Sequence, residues 1–296
     1  MLLLTGATGT IGQPLLRRLT AQGVPVRCLV RDPRRLGPER VRVQITLGDL
    51  ADPFSFRHAL RGVDTVVHLA STIRDQPGGS IEELDGIATW RLVKAAERAG
   101  VQRFVFFSTL GASTRSRARL MRAKAIAERA LLDSSLTSTI FAPSMVYSPS
   151  DPFVRLLERM SLLPAMPISG SGRAAFQPIW ADDVADCVIA ALPGGSKGEQ
   201  SAGARYELAG PETLTYAEFV GCVLHSVHRR RPLARIPIPI AMRTLKLVEL
   251  LTGPAAFATW DEAELLEVPL ISRHGTADAE RLGVLPKPVG AVLGVG

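Results

Sequence analysis

"LLLTGATGTIGQPLL", residues 2–16, decides the fold. Leu2 to Thr5 make a short apolar strand, and Gly12 onward reads as a helix. Between them stand Gly6, Gly9 and Gly12, evenly spaced. At a strand-to-helix turn this spacing has a physical use. One glycine permits the tight turn, another lets backbone N–H groups approach a pyrophosphate, and the third lets the helix pack on the strand. The helix N-terminus then offers unpaired N–H groups and a favourable dipole to the anion. A purely structural turn is the alternative, and the strand before it and helix after it favour the phosphate reading. The residues placed to make contact are Thr5, Gly6, Thr8, Gly9, Thr10, Ile11 and Gly12.

Outward from this turn the chain alternates strand and helix. "PVRCLVR", "VRVQITLGDL", "DTVVHLAS", "RFVFFSTLG" and "TSTIFAPS" read as strands. Helical stretches separate most of them, and the first helix stops at Gly23. Such alternation implies parallel pairing with right-handed crossovers. Runs such as "VVHLA" and "FVFF" fit a sheet covered on both faces. The expectation is an α/β protein, a doubly wound parallel sheet of Rossmann type over residues 1–150. After Pro149 the rhythm breaks. Residues 151–296 are expected to form a smaller C-terminal α+β lobe over the sheet's carboxyl edge, the two parts making one structural unit. Within it, "AAFQPIWADDVADCVIAAL" predicts a strand and a helix capped by Asp182 or Asp183.

The 296 residues, 46% of them hydrophobic, suffice for a large core, and 21% charged residues exclude a disordered chain. Net charge is +7, with arginines scattered apart from Arg229–Arg231. Most read as solvated surface. Cys28, Cys187 and Cys222 lie far apart and form no CxxC pair, which fits a reducing compartment. No apolar run is long enough to span a bilayer, and the N-terminus lacks the charged region of a signal peptide. A cytoplasmic protein is expected, with peripheral contact at the inner face of a membrane left open. "IPIPIAMRTLKLVELLTG" could make that contact, although a helix packed on the lobe is favoured. His225 and His228 lack a third ligand, so no metal is expected. No nucleic-acid module appears.

The strand ends name further candidates. Strand two ends "LVRDPRRL", with Arg31 ahead of Asp32. An acid at this point meets the ribose 2′-hydroxyl, whereas an arginine accommodates a 2′-phosphate. NADP(H) is therefore favoured over NAD(H). Asp49 could meet the adenine amino group and Leu50 cover its ring. Leu69, Ala70 and Ser71 let the backbone skirt the dinucleotide. His68 reads as a satisfied core histidine.

With T-G-A-T-G-T-I-G, G-D-L, V-V-H-L-A and F-F-S-T-L-G in this order, the chain resembles the short-chain dehydrogenase/reductase superfamily, with the glycine spacing of its extended and atypical branches. The family carries a serine, then Tyr-x-x-x-Lys on a helix. The resemblance implies Ser108 as the serine, with Thr109 as a weaker substitute. On "RARLMRAKAIAERAL", residues 117–131, it implies Lys124 as the lysine and puts Leu120 at the tyrosine. In the family that tyrosine moves the proton, and the lysine lowers its pKa and holds the nicotinamide ribose. Leucine has no proton to give. The chain's tyrosines, Tyr147, Tyr206 and Tyr216, lie elsewhere. Cofactor binding is expected to survive without the standard carbonyl chemistry.

The middle segment is similar to the complex I accessory-subunit branch of the atypical members. It carries Ser148 to Phe153, Pro164 to Gly172 and Phe176-Gln177-Pro178 through Asp183-Val184-Ala185 in that branch's order. Ala142 replaces an arginine usual there, and Ser148 a glycine. The resemblance adds Pro143, Ser144 and Met145 to the expected cofactor contacts. It also implies a structural dinucleotide and a peripheral place on a respiratory assembly, with a protein partner. NmrA-like regulators and nucleotide-sugar epimerases fit this segment less well. Three readings stay open: an accessory protein of a redox assembly, an active NAD(P)H-dependent oxidoreductase on a quinone-like or other small acceptor, and a cofactor-ratio sensor. Substrate, oligomeric state and the role of residues 231–296 stay open too.

Overall fold

A computed structural model describes residues 1–73, 75–76, 78–236 and 265–294. Its centre is a seven-stranded parallel sheet. The strands are β1 (Leu2–Thr5), β2 (Val26–Val30), β3 (Gln44–Leu47), β4 (Thr65–His68), β5 (Arg103–Phe107), β6 (Thr137–Pro143) and, from the second half, Arg205–Leu208. The sheet runs from Arg205–Leu208 through β6, β5, β4, β1 and β2 to β3. The order therefore reverses between β1 and β4, and in open α/β sheets ligands bind in the crevice at such a switch point.

Helices cover both faces, as the apolar strands require. On one side Leu15, Leu16 and Leu19 of α1 (Gly12–Ala21) pack with Val184 and Val188 of α6 (Ala181–Ala191) on Leu2 and Leu4. On the other, Leu92, Val93 and Ala96 of α3 (Ala88–Arg98) and Ala127 and Leu131 of α4 (Arg119–Leu132) pack on Leu3. Neighbouring β1 residues thus serve opposite cores, the period of a strand. β3 is shorter than the sequence predicts. Only Gln44–Leu47 pair, and Leu47 at this edge is 62% exposed. The short helix expected after it is one turn of α2 (Pro53–Phe56) continued by a 3-10 turn.

Residues beyond 150 do two things. Arg205–Leu208 extends the main sheet beside β6. Other described residues, with Val146–Tyr147, build a lobe from α5 (Pro152–Met160), α7 (Tyr216–Ser226) and three short strand pairs. These join Val146–Tyr147 to Ile179–Trp180, Ala175–Phe176 to Leu214–Thr215, and Met166–Ser169 to Leu233–Ile236. Tyr147, Phe176, Phe219 and Val223 fill its core. The expected strand over "AAFQPIW" is two short pieces broken at Pro178, since proline cannot donate to a ladder. α6 is not capped by an aspartate. Trp180 precedes its first turn without a side-chain bond. Asp182 instead pairs with Arg18 (2.9 Å), and Asp183 accepts from the Lys287 N–H (2.8 Å). The apolar segment "IPIPIAMRTLKLVELLTG" falls, after Ile236, outside the described residues. No described helix is long and apolar enough to cross a membrane.

Candidate cofactor site

The glycine turn joins β1 to α1. Gly6 has φ +72°, and a Cβ there would lie 2.5 Å from the Ala70 nitrogen. Only glycine allows both that dihedral and this approach to the end of β4. The Gly9 N–H donates to Gly6 O (3.0 Å), closing the turn, and Gly12 presses on Gly6 and Ala7. α1 has no side-chain cap and no acid in its first turn. The N–H groups of Thr10, Ile11 and Gly12 make no hydrogen bond among the described residues. Such a terminus is deficient in acceptors and suits an anion.

At the end of β2, Arg31 is exposed and makes no bond or ion pair among the described residues. Asp32 is used locally, accepting from the Arg34 N–H (3.0 Å) to cap a helical turn. Asp49 accepts from the Ala51 N–H (3.0 Å) and is half-buried, while Leu50 packs against the core. After β4, Leu69 donates to Thr5 O (3.2 Å), Ala70 donates to Thr5 Oγ1 (3.4 Å), and Ser71 is exposed. His68 is the core histidine that the sequence suggests. Its ring lies between Thr5 Oγ1 (2.7 Å) and Thr89 Oγ1 (2.9 Å). Burial, and after it the charge of Lys124, pushes His68 down to about 3, so the ring is neutral.

Lys124 answers to a partner that sequence reasoning missed. Its Nζ lies 2.9 Å from Asp85 Oδ1, with both side chains buried, and 5.2 Å from the centre of the Phe106 ring. Asp85 also accepts from Ser71 Oγ (2.6 Å) and the Thr72 N–H (2.8 Å). It sits on a π-helical turn, Glu82–Ile87, that leads into α3. One ammonium has three N–H donors, so the Asp85 bond leaves Lys124 able to hold a further acceptor. Leu120, one turn earlier on α4, packs with Ile81, Ala123 and Leu265.

Ser108, just past β5, is 5% exposed and its Oγ has no partner among the described residues. A buried hydroxyl without a partner carries a penalty unless a ligand or water meets it. Thr109 Oγ1 turns back to Leu110 O (3.4 Å). Past β6, Pro143 is buried. The Ser144 hydroxyl donates to Leu270 O (2.7 Å) and accepts from the Gln177 N–H (3.0 Å), and Met145 packs on the lobe core. Tyr147 lies in that core against Phe219, its hydroxyl buried and without a partner among the described residues. Burial first, then the charges of Asp183 and Glu212, push its pKa up. An uncapped helix, a glycine cradle and an orphaned serine at the carboxyl ends of β1 and β5 fit a dinucleotide. Among the described residues no group of three or more His, Cys, Asp or Glu could hold a metal.

Comparison with known proteins adds family and relatives. A family model described as NAD(P)H-binding matches residues 6–194. The chain is 30% identical over 247 residues to the mitochondrial NADH dehydrogenase [ubiquinone] 1 alpha subcomplex subunit 9 of Arabidopsis thaliana, covering 80% of this chain and 60% of that protein. It therefore spans less than two thirds of that relative. It is 33% identical over 141 residues to the photosystem II assembly factor Ycf39 of Cyanophora paradoxa, covering 47% of this chain and 44% of that one. Among solved structures, a nucleoside-diphosphate-sugar epimerase of Staphylococcus aureus superposes with TM-score 0.74 at 22% identity, covering 99% of both chains. That likeness concerns the fold.

Proposed function

The chain belongs to the NAD(P)H-binding family, among the atypical short-chain dehydrogenases, and from this premise we propose that it holds NADP(H) as a structural group and serves as an accessory protein of a redox assembly. The observation that carries this is the pair of adjacent turns on α4. The position of the family's proton-donating tyrosine is Leu120, closed in by Ile81, Ala123 and Leu265. The neighbouring Lys124 is bound to Asp85 instead of to a phenol. A site so built can hold a ribose and cannot pass a proton by the standard route.

The chain's own residues would divide the work as follows. The N–H groups of Thr10, Ile11 and Gly12 meet the pyrophosphate, with Thr5, Gly6, Thr8 and Gly9 shaping the cradle. Arg31 faces a 2′-phosphate, Asp49 and Leu50 the adenine. Leu69, Ala70 and Ser71 line the middle. Ser108 and Lys124 hold the nicotinamide ribose, and Pro143, Ser144 and Met145 border that end. A bound dinucleotide supplies a transferable hydride. Residues 1–150 would carry it, with residues 151–296 covering the sheet edge in one unit. The subunit and assembly-factor roles in the relatives' names support a protein partner; a cytoplasmic place, peripheral at the inner face of a membrane, is part of the proposal.

One observation favours a second reading, an active oxidoreductase on a quinone-like acceptor. The Ser108 hydroxyl is buried and has no partner among the described residues, and a held donor of this kind can polarise a carbonyl. The test begins with purified protein. Bound dinucleotide is extracted and identified by mass, and NADPH and NADH are then titrated by fluorescence. Retained NADP(H) that added quinones and carbonyls do not oxidise is the expected outcome. Acceptor-dependent NADPH oxidation would transfer the case to the second reading, and absence of binding would end both.

A further inference from the structure

The lobe carries a surface that the dinucleotide site does not use. α5 ends at Met160, and the chain turns through Ser161 toward Met166–Ser169. Ser161 is fully buried, while Leu162 and Leu163, next in line, are 65% and 46% exposed. The turn is fixed from within by Leu162 N–H to Arg159 O (3.1 Å) and Leu163 N–H to Met160 O (3.0 Å). It is also fixed from the side. Arg229 Nη1 donates to Ser161 Oγ (2.7 Å) and Arg231 Nε to Ser161 O (3.1 Å). The Met166 N–H then bonds to Pro232 O (2.9 Å), and Met166 pairs with Leu233.

Two leucines held out on a braced turn leave apolar area in water at a cost the chain could avoid with polar residues. The charge on the two adjoining stretches is mostly of one sign. Arg155 and Arg159 stand on α5, and Arg229, Arg230, Arg231 and Arg235 on the segment bonded to its end, whereas the acids of these described stretches are Glu158 and Asp151, which is spent capping α5. A protein partner would have to supply a matching acidic rim around an apolar pocket. A bilayer with anionic headgroups supplies both at once, phosphates for the guanidinium groups and an acyl boundary for the leucines.

We propose that this turn docks the protein on an anionic lipid surface, with Leu162 and Leu163 entering the headgroup–acyl boundary and the arginines seated on phosphates. The dinucleotide reading is not needed for this.

The test is sedimentation of the full chain with vesicles of phosphatidylglycerol and phosphatidylcholine, beside vesicles of phosphatidylcholine alone. Binding to the anionic vesicles, weakened by salt, is expected. Arg159, Arg230 and Arg235 are exposed, and their side chains make no bond among the described residues, so replacing all three by alanine leaves the lobe's described framework in place. At about fivefold per arginine, the triple variant should bind about a hundredfold more weakly. Leu162→Ser with Leu163→Ser should lower binding without changing its salt dependence, and circular dichroism melting checks that both variants fold. Equal binding to neutral vesicles, or unchanged binding of both variants, overturns the proposal. So does failure to bind vesicles by a protein that instead captures nucleic acid or a soluble protein.

Discussion

Removing the Lys124 ammonium would leave the Asp85 carboxylate buried with Ser71 and Thr72 as its remaining donors among the described residues. Lys124→Met should therefore cost about 3–5 kcal/mol in urea unfolding, and adding Asp85→Asn should restore part of it. Leu120→Tyr should not create a carbonyl reductase. The larger side chain meets Ile81 and Leu265 and should cost about 1–3 kcal/mol, with NADPH oxidation by carbonyls staying at background. His68 gives a pH prediction. Its folded pKa, about 3, lies below that of the unfolded chain, so unfolding takes up a proton between the two. Its contribution is complete above about pH 6.5 and is lost as pH falls toward 3, a few kcal/mol in all. His68→Gln should flatten urea stability between pH 6.5 and 4. The neutral role of His68 was legible, because the residue interrupts an otherwise apolar strand. Asp85 was not. In "IEELDG" nothing in the sequence sets it apart from its acidic neighbours, and the packing of α4 against that turn buries it.

At the scale of elements, the strand–glycine–helix unit behaves as its spacing predicts, because every constraint on it is local. Gly6→Ala forces a Cβ into the Ala70 backbone at a left-handed dihedral. It should cost about 2 kcal/mol or more and abolish NADPH binding in a fluorescence titration. Elements that depend on distant partners were harder to read. The aspartates at the start of α6 look like caps, yet Arg18 of α1 and the Lys287 backbone claim them. β3 was overestimated because its apolar residues, Ile45 and Leu47, lie at an open sheet edge instead of in a core.

At the scale of the whole molecule, the C-terminal residues bind the two halves together. Ser144 at the end of β6 holds Leu270 and Gln177, and the Ser272 hydroxyl donates to Glu207 of the seventh strand. Asp278, 2% exposed, accepts from the Glu207 N–H (2.9 Å), His274 (3.1 Å) and Arg281 (3.2 Å). Asp278→Ala should cost about 1–3 kcal/mol. It should also speed amide exchange across Arg205–Leu208, read by mass spectrometry, while β1 and β4 stay protected. None of this was legible, since the partners are far apart in sequence and no periodicity joins them.

The clamp at Ser144 has a consequence for how each copy is made. Synthesis proceeds from the amino end, and folding units form as they emerge. The glycine turn and the β4 end it touches emerge well ahead of Leu270 and Asp278. A nascent chain thus has its glycine turn before the clamp at Leu270 and Asp278, and the flank of β6 lies open until the seventh strand arrives. Turn and clamp are therefore expected to form one after the other.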